Sequence, residues 1–256
     1  MKLIKVYFLL YIRNVKVVFK EFKYPFKTLV KIFFAKLRFI KNNYLIETKN
    51  GVKFAIEPNS NDIGMILEYF RDKPYNSIDE FFVSDGDVVV DLGANIGAFS
   101  INVAMLNPNG QVFSFEPMPD NFFRFSKNIN LNRLKNIKPF QVAISKNNDE
   151  IDLLVNKDSA FHSIVNSNNS SSIKKIKVRG ITLSSFIENE KLNQINFLKV
   201  DIEGAEYDLI YNLEEFVFKI IHKIVFEVHP IDEKRNIKEL STLNPQADCK
   251  KSRKSG

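Results

Sequence analysis

A chain of 256 residues, 45% apolar and 12% aromatic, holds enough material for one α/β domain with an extension, and this composition excludes global disorder. Its single cysteine, Cys249, lies in a polar tail, so an intramolecular disulfide is excluded and no Cys/His cluster marks a zinc site. The net charge of +7 is unevenly spread: residues 1–43 carry eleven Lys or Arg against one acid, whereas the remainder carries 26 basic and 29 acidic residues, a balance that argues against a nucleic-acid footprint across the chain.

Residues 1–43 mix apolar, aromatic and basic side chains. The longest uncharged run near the start, Val6 to Ile12, is too short to span a bilayer, and no small-residue cleavage site follows it. Arg13, Lys16, Lys20, Lys23, Lys27 and Lys31 recur at helical spacing, with Phe19, Phe22, Phe26, Leu29, Val30 and Phe33 largely between them. That pattern is expected of an amphipathic helix lying in a membrane interface, broken or kinked at Pro25. The alternative is a helical cap that packs on the domain and leaves its lysines in water. The positive excess exceeds what solubility needs, which favours an anionic membrane surface met through residues 1–41 of a cytoplasmic protein.

Residues 44–83 begin with a hairpin, Tyr44 to Glu57, turning at Lys49-Asn50-Gly51. Two short helices are expected at 61–71 and 75–83. Ser84-Asp85-Gly86-Asp87 then turns into Val88-Val-Val-Asp91-Leu-Gly93-Ala-Asn95-Ile-Gly97-Ala-Phe-Ser100. Here a β-branched run ends in an acid, two glycines follow and an apolar helical pattern begins. The stretch predicts a buried strand, a tight turn and a helix N-terminus, whose N–H groups and dipole would face a nucleotide-like ligand.

Further on, Gln111 to Phe115 predicts a strand, Asp120 to Leu131 a helix and Ile137 to Ile144 a strand. The alternation implies a mostly parallel, doubly wound α/β sheet over residues 84–230. Glu150 to Val155 and Lys175 to Val178 predict two inserted strands around a polar loop at 166–172. A short helix starts at Thr182. Asn196 to Glu206 is a second strand–turn–helix unit, Lys223 to Val228 is a third strand ending at His229-Pro230, and 231–256 is a polar tail.

In such a sheet, ligands bind outside the carboxyl ends of the strands. Those ends carry Asp91, Glu116, Asp201 with Glu203, and Glu227 with His229. Charged groups there cost desolvation energy, so their clustering points to function. The Asp91-x-Gly93-x-Asn95-x-Gly97 turn departs from the G-x-G-x-x-G dinucleotide fingerprint, while Glu116, nineteen residues beyond Gly97, is placed to accept from ribose hydroxyls. NAD and S-adenosyl-L-methionine both carry that ribose. Only the pyrophosphate of NAD demands the missing glycines, so the cofactor is read as S-adenosyl-L-methionine.

Asp91-Leu-Gly-Ala-Asn-Ile-Gly97, Phe115-Glu116-Pro117, Val142-Ala-Ile-Ser145, Ile181-Thr182-Leu183 and Lys199-Val-Asp201-Ile-Glu203-Gly204-Ala-Glu206, in this order, resemble the FkbM family of methyltransferases. Glu227-Val228-His229 fits the acid and histidine at that family's fifth strand, and the resemblance covers roughly residues 80–230. It implies a Rossmann-like class I methyltransferase fold and methyl transfer from S-adenosyl-L-methionine, commonly to a hydroxyl of a saccharide, glycolipid or natural product. Carried over by position, Asp91, Gly93, Asn95 and Gly97 would line the methionine end and Glu116 would hold the ribose. Met118 would pack on the adenine, Ala143 and Ser145 would lie by its edge, and Asp201 would face the methyl-transfer centre.

Transfer from an activated sulfonium asks for alignment and for a base near the acceptor hydroxyl. His229 is the first candidate and Asp201 the second. Asp201 or Glu203 could instead orient acceptor hydroxyls or favour the sulfonium, while Glu203 and Glu206 could equally cap the following helix. His162 is a further candidate to reach the site from the insertion. No metal is expected, a set of Asp201, Glu203 and Glu227 being the weaker alternative. Sheets of this class add two strands after the fifth, yet the 26 residues after Pro230 contain no β-like run. An incomplete sheet edge is therefore expected, which keeps open a non-catalytic, membrane-associated binding protein.

Overall fold

The computed structural model describes residues 2–72, 83–155, 162–163, 174–202 and 206–226. Helices α1 (Lys2–Glu21) and α2 (Pro25–Lys36) open the chain and are followed by a hairpin of β1 (Tyr44–Glu47) and β2 (Lys53–Ile56) and by α3 (Asp62–Asp72). The break between α1 and α2 falls at Pro25, which takes the first turn of α2, where a missing N–H costs nothing. The hairpin pins the break: Phe22 bridges to Thr48, and the Lys23 N–H donates to the Glu47 carbonyl at 2.9 Å. The expected turn is in place, with Gly51 at φ 84°. The expected helix at 75–83 lies, up to residue 82, outside the described residues.

β3 (Val88–Leu92), α4 (Ala98–Leu106), β4 (Gln111–Phe115), α5 (Pro119–Leu131) and β5 (Ile137–Phe140) form one half of the main sheet. After an insertion, α6 (Leu183–Glu190), β10 (Phe197–Val200), α7 (Glu206–Tyr211), α8 (Glu215–Ile220) and β11 (Ile224–Phe226) form the other half. The five strands are all parallel in the order β11-β10-β3-β4-β5. Winding therefore reverses between β3 and β10, which is where a doubly wound sheet opens a crevice at its carboxyl edge. The doubly wound α/β sheet is what the alternating sequence implied, and its Rossmann-like architecture is what the family resemblance implied.

Strand side chains alternate between two cores, as a sheet covered on both faces requires. Val89, Val112, Ile137, Phe197 and Val225 pack towards α4 and α5, with Phe125 and Ile129. Val90, Leu92, Phe113, Phe115, Leu198 and Val200 pack towards α6 and α7, with Phe186 and Leu209. α4 is buried almost all round, which is why its sequence shows no polar stripe. On the first face the core extends through α3 and the hairpin to Val17, Val18 and Phe22, so the end of α1 packs into the same core as the sheet. For that part of α1 the cap arrangement holds rather than the interfacial one. The buried Asn128 ties the two regions together, accepting from the Ala55 N–H at 2.8 Å and donating to the Ile96 carbonyl at 3.1 Å.

Ile137 to Ile144, read from the sequence as one strand, is two. Phe140 is the partner of Phe115, the last residue of β4, so the ladder ends there and the chain leaves the sheet. Ala143–Ile144 forms β6 instead, in a second sheet with β7 (Glu150–Val155), β8 (His162–Ser163) and β9 (Lys174–Ile181) in the order β6-β9-β7-β8. The inserted strands are thus present, and the loop at 166–172 lies outside the described residues, as do residues 227–256 with the expected sheet edge.

Candidate functional site

The turn after β3 is built on three left-handed residues, Gly93 (φ 86°), Asn95 (φ 51°) and Gly97 (φ 89°). Only glycine is at ease there, and close packing explains why two of them are glycines. A Cβ on Gly93 would overlap the backbone carbonyl oxygen of Asp201 at the head of the neighbouring strand, and one on Gly97 would overlap the ring of Phe125. Gly93→Ala is therefore expected to push β3 and β10 apart at the crevice and to abolish cofactor binding by calorimetry. Unchanged affinity would show that this approach is not needed.

The turn's amides are largely spent inside the protein. Gly93 and Ala94 N–H donate to the Phe115 carbonyl at 3.0 and 2.8 Å, Gly97 N–H donates to the Ala94 carbonyl at 2.8 Å, and Asn95 N–H donates to Glu116 Oε2 at 2.8 Å. The amides of the turn itself are therefore not the expected cradle for a ligand. The turn offers shape and the Glu116 carboxylate, which suits a ribose better than a pyrophosphate.

Between the carboxyl ends of β3, β4, β6 and β10 lies a cavity of about 670 Å³ counted to its open mouth. Gly93, Asn95, Glu116, Met118, Ala143 and Asp201 all line it. Glu116 is buried, with Oε1 accepting from the Met118 N–H at 2.9 Å and from Asn121 Nδ2 at 3.4 Å. Burial pushes its carboxyl up to about 7 against those hydrogen bonds, with the Asp91 charge adding a smaller push in the same direction. Each carboxylate oxygen has two lone pairs, and among the described residues Oε2 accepts only from the Asn95 N–H, so it keeps capacity to accept from a hydroxyl in the cavity. Met118, Val142, Ala143, Ile144 and Leu153 line the same cavity and give it apolar surface suited to a flat heterocycle.

Three predicted residues do not line the cavity. Asp91 is fully buried beneath it, accepting from Ser100 Oγ and from Lys199 Nζ at 3.1 Å. Gly97 packs against α5, and Ser145 Oγ turns away to donate to the Asn147 carbonyl. Asp91 instead anchors a charge cluster. Strand register sets Asp91 beside Lys199, and Lys199 Nζ, itself buried, reaches Asp91 Oδ1 at 3.1 Å, Asp201 Oδ2 at 3.2 Å and the Gly93 carbonyl at 3.3 Å. One ammonium thus holds two carboxylates and the turn in place. Asp201 is the member of this cluster that faces the cavity. Glu206 is fully buried and accepts from the Ile202 N–H at 3.3 Å, so it ties the start of α7 to the residue after Asp201.

Glu203, Glu227 and His229 lie outside the described residues. His162 stands in β8 opposite Val155, and its side chain also lies outside them. Among the described residues no group of three His, Cys, Asp or Glu side chains is placed to hold a metal. Met65 of α3, Asn121 and Ile202 line the cavity without having been singled out from the sequence. Met65 comes from the region before the sheet, and nothing in its local pattern marks it.

Curated relatives agree with this architecture. Methyltransferase 1 of Beauveria bassiana is 27% identical over 194 residues, covering 69% of this chain and 76% of its own. The hexuronic acid methyltransferase AglP of Haloferax volcanii is 24% identical over 160 residues, covering 61% and 62%. The 31-O-demethyl-FK506 methyltransferase FkbM of Streptomyces tacrolimicus is 25% identical over 175 residues, covering 57% and 67%. The chain spans about two thirds of the length of the last two. The model of the methyltransferase FkbM domain matches residues 91–246, more than half of the chain, which therefore belongs to the FkbM methyltransferase family.

Proposed function

We propose that this chain transfers a methyl group from S-adenosyl-L-methionine to a hydroxyl of a saccharide, glycolipid or natural product. The observation that carries the reading is that the Glu116 carboxylate, a set of apolar side chains and Asp201 line one cavity near the winding reversal. When bound, the cofactor supplies a methyl group already activated on a sulfonium. Glu116 would accept from the ribose hydroxyls, and Met118, Ala143 and Leu153 would cover the adenine. Asp201, fixed by Lys199, lies where a negative charge favours the cationic centre and where an acceptor hydroxyl can be oriented. The carbon–oxygen bond forms as the carbon–sulfur bond breaks, and the hydroxyl proton passes to a base. His229, three residues beyond β11 in the chain, is assigned that proton, with Asp201 as the alternative and Glu203 as an orienting group. The name of the hexuronic acid relative supports a sugar as acceptor and that of the FK506 relative supports an oxygen of a natural product, and a lipid-linked sugar belongs to the first class.

The test is transfer of labelled methyl from S-adenosyl-L-methionine into a panel of glycans, lipid-linked sugars and polyketides. Label in an acceptor is expected, and His229→Ala is expected to cut turnover at least ~100-fold, as loss of a general base does, with little change in cofactor affinity. Cofactor binding with no transfer to any class would instead favour the non-catalytic reading. Wild-type turnover of His229→Ala would remove it as the base.

A further inference from the structure

α2 carries an apolar face that the fold leaves in solvent. Phe26, Val30, Phe33 and Leu37 follow one another at spacings of four, three and four residues, so they share one side of the helix. Phe34 and Phe39 extend that side, their rings 5.9 Å apart. Phe26 is 73% exposed, Phe33 59% and Phe39 72%. Phe19 at the end of α1 meets Phe26 edge-on at 5.0 Å, so the patch continues across the break. The opposite side of α2 is held down by the buried Thr28 and Ala35. This contrasts with α1, whose Val17 and Val18 are core residues, and monomeric proteins rarely expose an aromatic surface of this extent without a use for it.

The rim of the patch is basic. Lys27, Lys36, Arg38 and Lys41 are exposed around it, with Lys20 and Lys23 also exposed but paired with Glu21 and Glu47. Glu21 is the one acid among residues 1–43. Beside the end of α2, Lys36, Arg38 and Lys41 line an open concavity with Pro58, Asn59 and Ser60, a basic surface that suits anionic groups. A second copy of the chain would set one basic rim against another, which disfavours self-association through this face. Aromatics ringed by lysines match an anionic lipid surface instead.

We infer that the α2 face, with its basic rim, docks on an anionic phospholipid bilayer, the aromatic rings entering the headgroup region and the lysines meeting lipid phosphates. No described helix is long and apolar enough to cross a membrane, so the contact is with the surface. Residues 58–60, which line that concavity, lead into α3, whose Met65 lines the cavity at the main sheet. A bilayer held at α2 is therefore one short segment away from the site, and a lipid-linked acceptor would be presented there. Docking itself needs neither cofactor nor turnover and stands whether or not the methyl-transfer reading does.

The test is flotation of the full chain, without cofactor, on phosphatidylcholine vesicles and on the same vesicles with about one third phosphatidylserine. Binding is expected to the anionic vesicles alone and to be lost in 1 M salt, where screening shortens to ~3 Å. The charge variant Lys27→Glu/Lys36→Glu/Lys41→Glu should lose at least ~100-fold in partitioning, since each surface lysine contributes about fivefold. The variant Phe26→Ser/Phe33→Ser/Phe39→Ser should lose ~10-fold or more while keeping the wild-type thermal midpoint, because these side chains are exposed. Absence of binding, equal binding to both vesicles, or wild-type binding by both variants would overturn the inference. So would a dimer that the serine variant dissolves in a chain that ignores vesicles, which would assign the face to a second copy.

Discussion

Glu116→Gln is expected to weaken S-adenosyl-L-methionine binding by about 100-fold, because hydrogen bonds to a charged acceptor contribute ~1.5–3 kcal/mol each and an amide gives up one of its two acceptor oxygens. The new amide N–H₂ would also face a backbone donor, since the Asn95 and Met118 N–H groups each claim one oxygen of the native carboxylate. Isothermal calorimetry reads the loss directly, and an affinity within threefold of wild type would remove Glu116 as the ribose acceptor.

The same residue makes binding pH-dependent. Its carboxyl is raised from 4.5 to about 7, chiefly by burial. A raised acid contributes stability below its unfolded value and loses that contribution as the pH climbs through its folded value, so the ligand-free chain gains from the protonated form between these limits. Hydroxyl donors favour the carboxylate. Cofactor binding should therefore release a proton below pH ~7 and weaken by up to tenfold per unit there. Titrations at pH 6 and 8 in buffers of different ionisation enthalpy test this, and a flat affinity without proton release would contradict it.

Lys199→Met carries the largest expected effect on stability. The side chains of Lys199 and Asp91 are almost wholly buried and that of Asp201 is largely so. Removing the ammonium strands two carboxylates beside the sheet, and breaking a buried pair in this way costs ~3–5 kcal/mol. Denaturant unfolding should show a loss of that size. Adding Asp91→Asn should recover part of it by removing one stranded charge, although Ser100 then loses its charged acceptor. A loss below 1 kcal/mol, or no recovery in the double variant, would show that the cluster does not depend on Lys199.

The part of the site built by one continuous stretch was legible because its physics is local. A β-branched run, a left-handed turn and an apolar helix announce β3, Gly93 to Gly97 and α4 without any tertiary information. Glu116 was legible by its distance from that turn. Lys199 was visible only as a motif letter, since its role arises from a strand register that sets it beside Asp91. Asp91 looked like a ligand contact for the same reason: an acid at a strand end signals function, but whether it faces the cavity or a buried lysine is decided by the neighbouring strand. Met65 and Leu153 arrive from elements on either side of the main sheet, and an apolar residue in an apolar helix or strand carries no mark of the cavity it lines. At the N-terminus the amphipathic pattern was plain through both helices. Which of them turns its apolar side inwards was not, because the hairpin that bridges Phe22 to Thr48 makes that choice.

The central claim is that the cavity at the winding reversal is built for S-adenosyl-L-methionine. Titration of the full chain with S-adenosyl-L-methionine and, in parallel, with NAD tests it most directly. One-to-one binding of S-adenosyl-L-methionine that Glu116→Ala abolishes is expected, with no binding of NAD. Absence of S-adenosyl-L-methionine binding, or a preference for NAD, would contradict it.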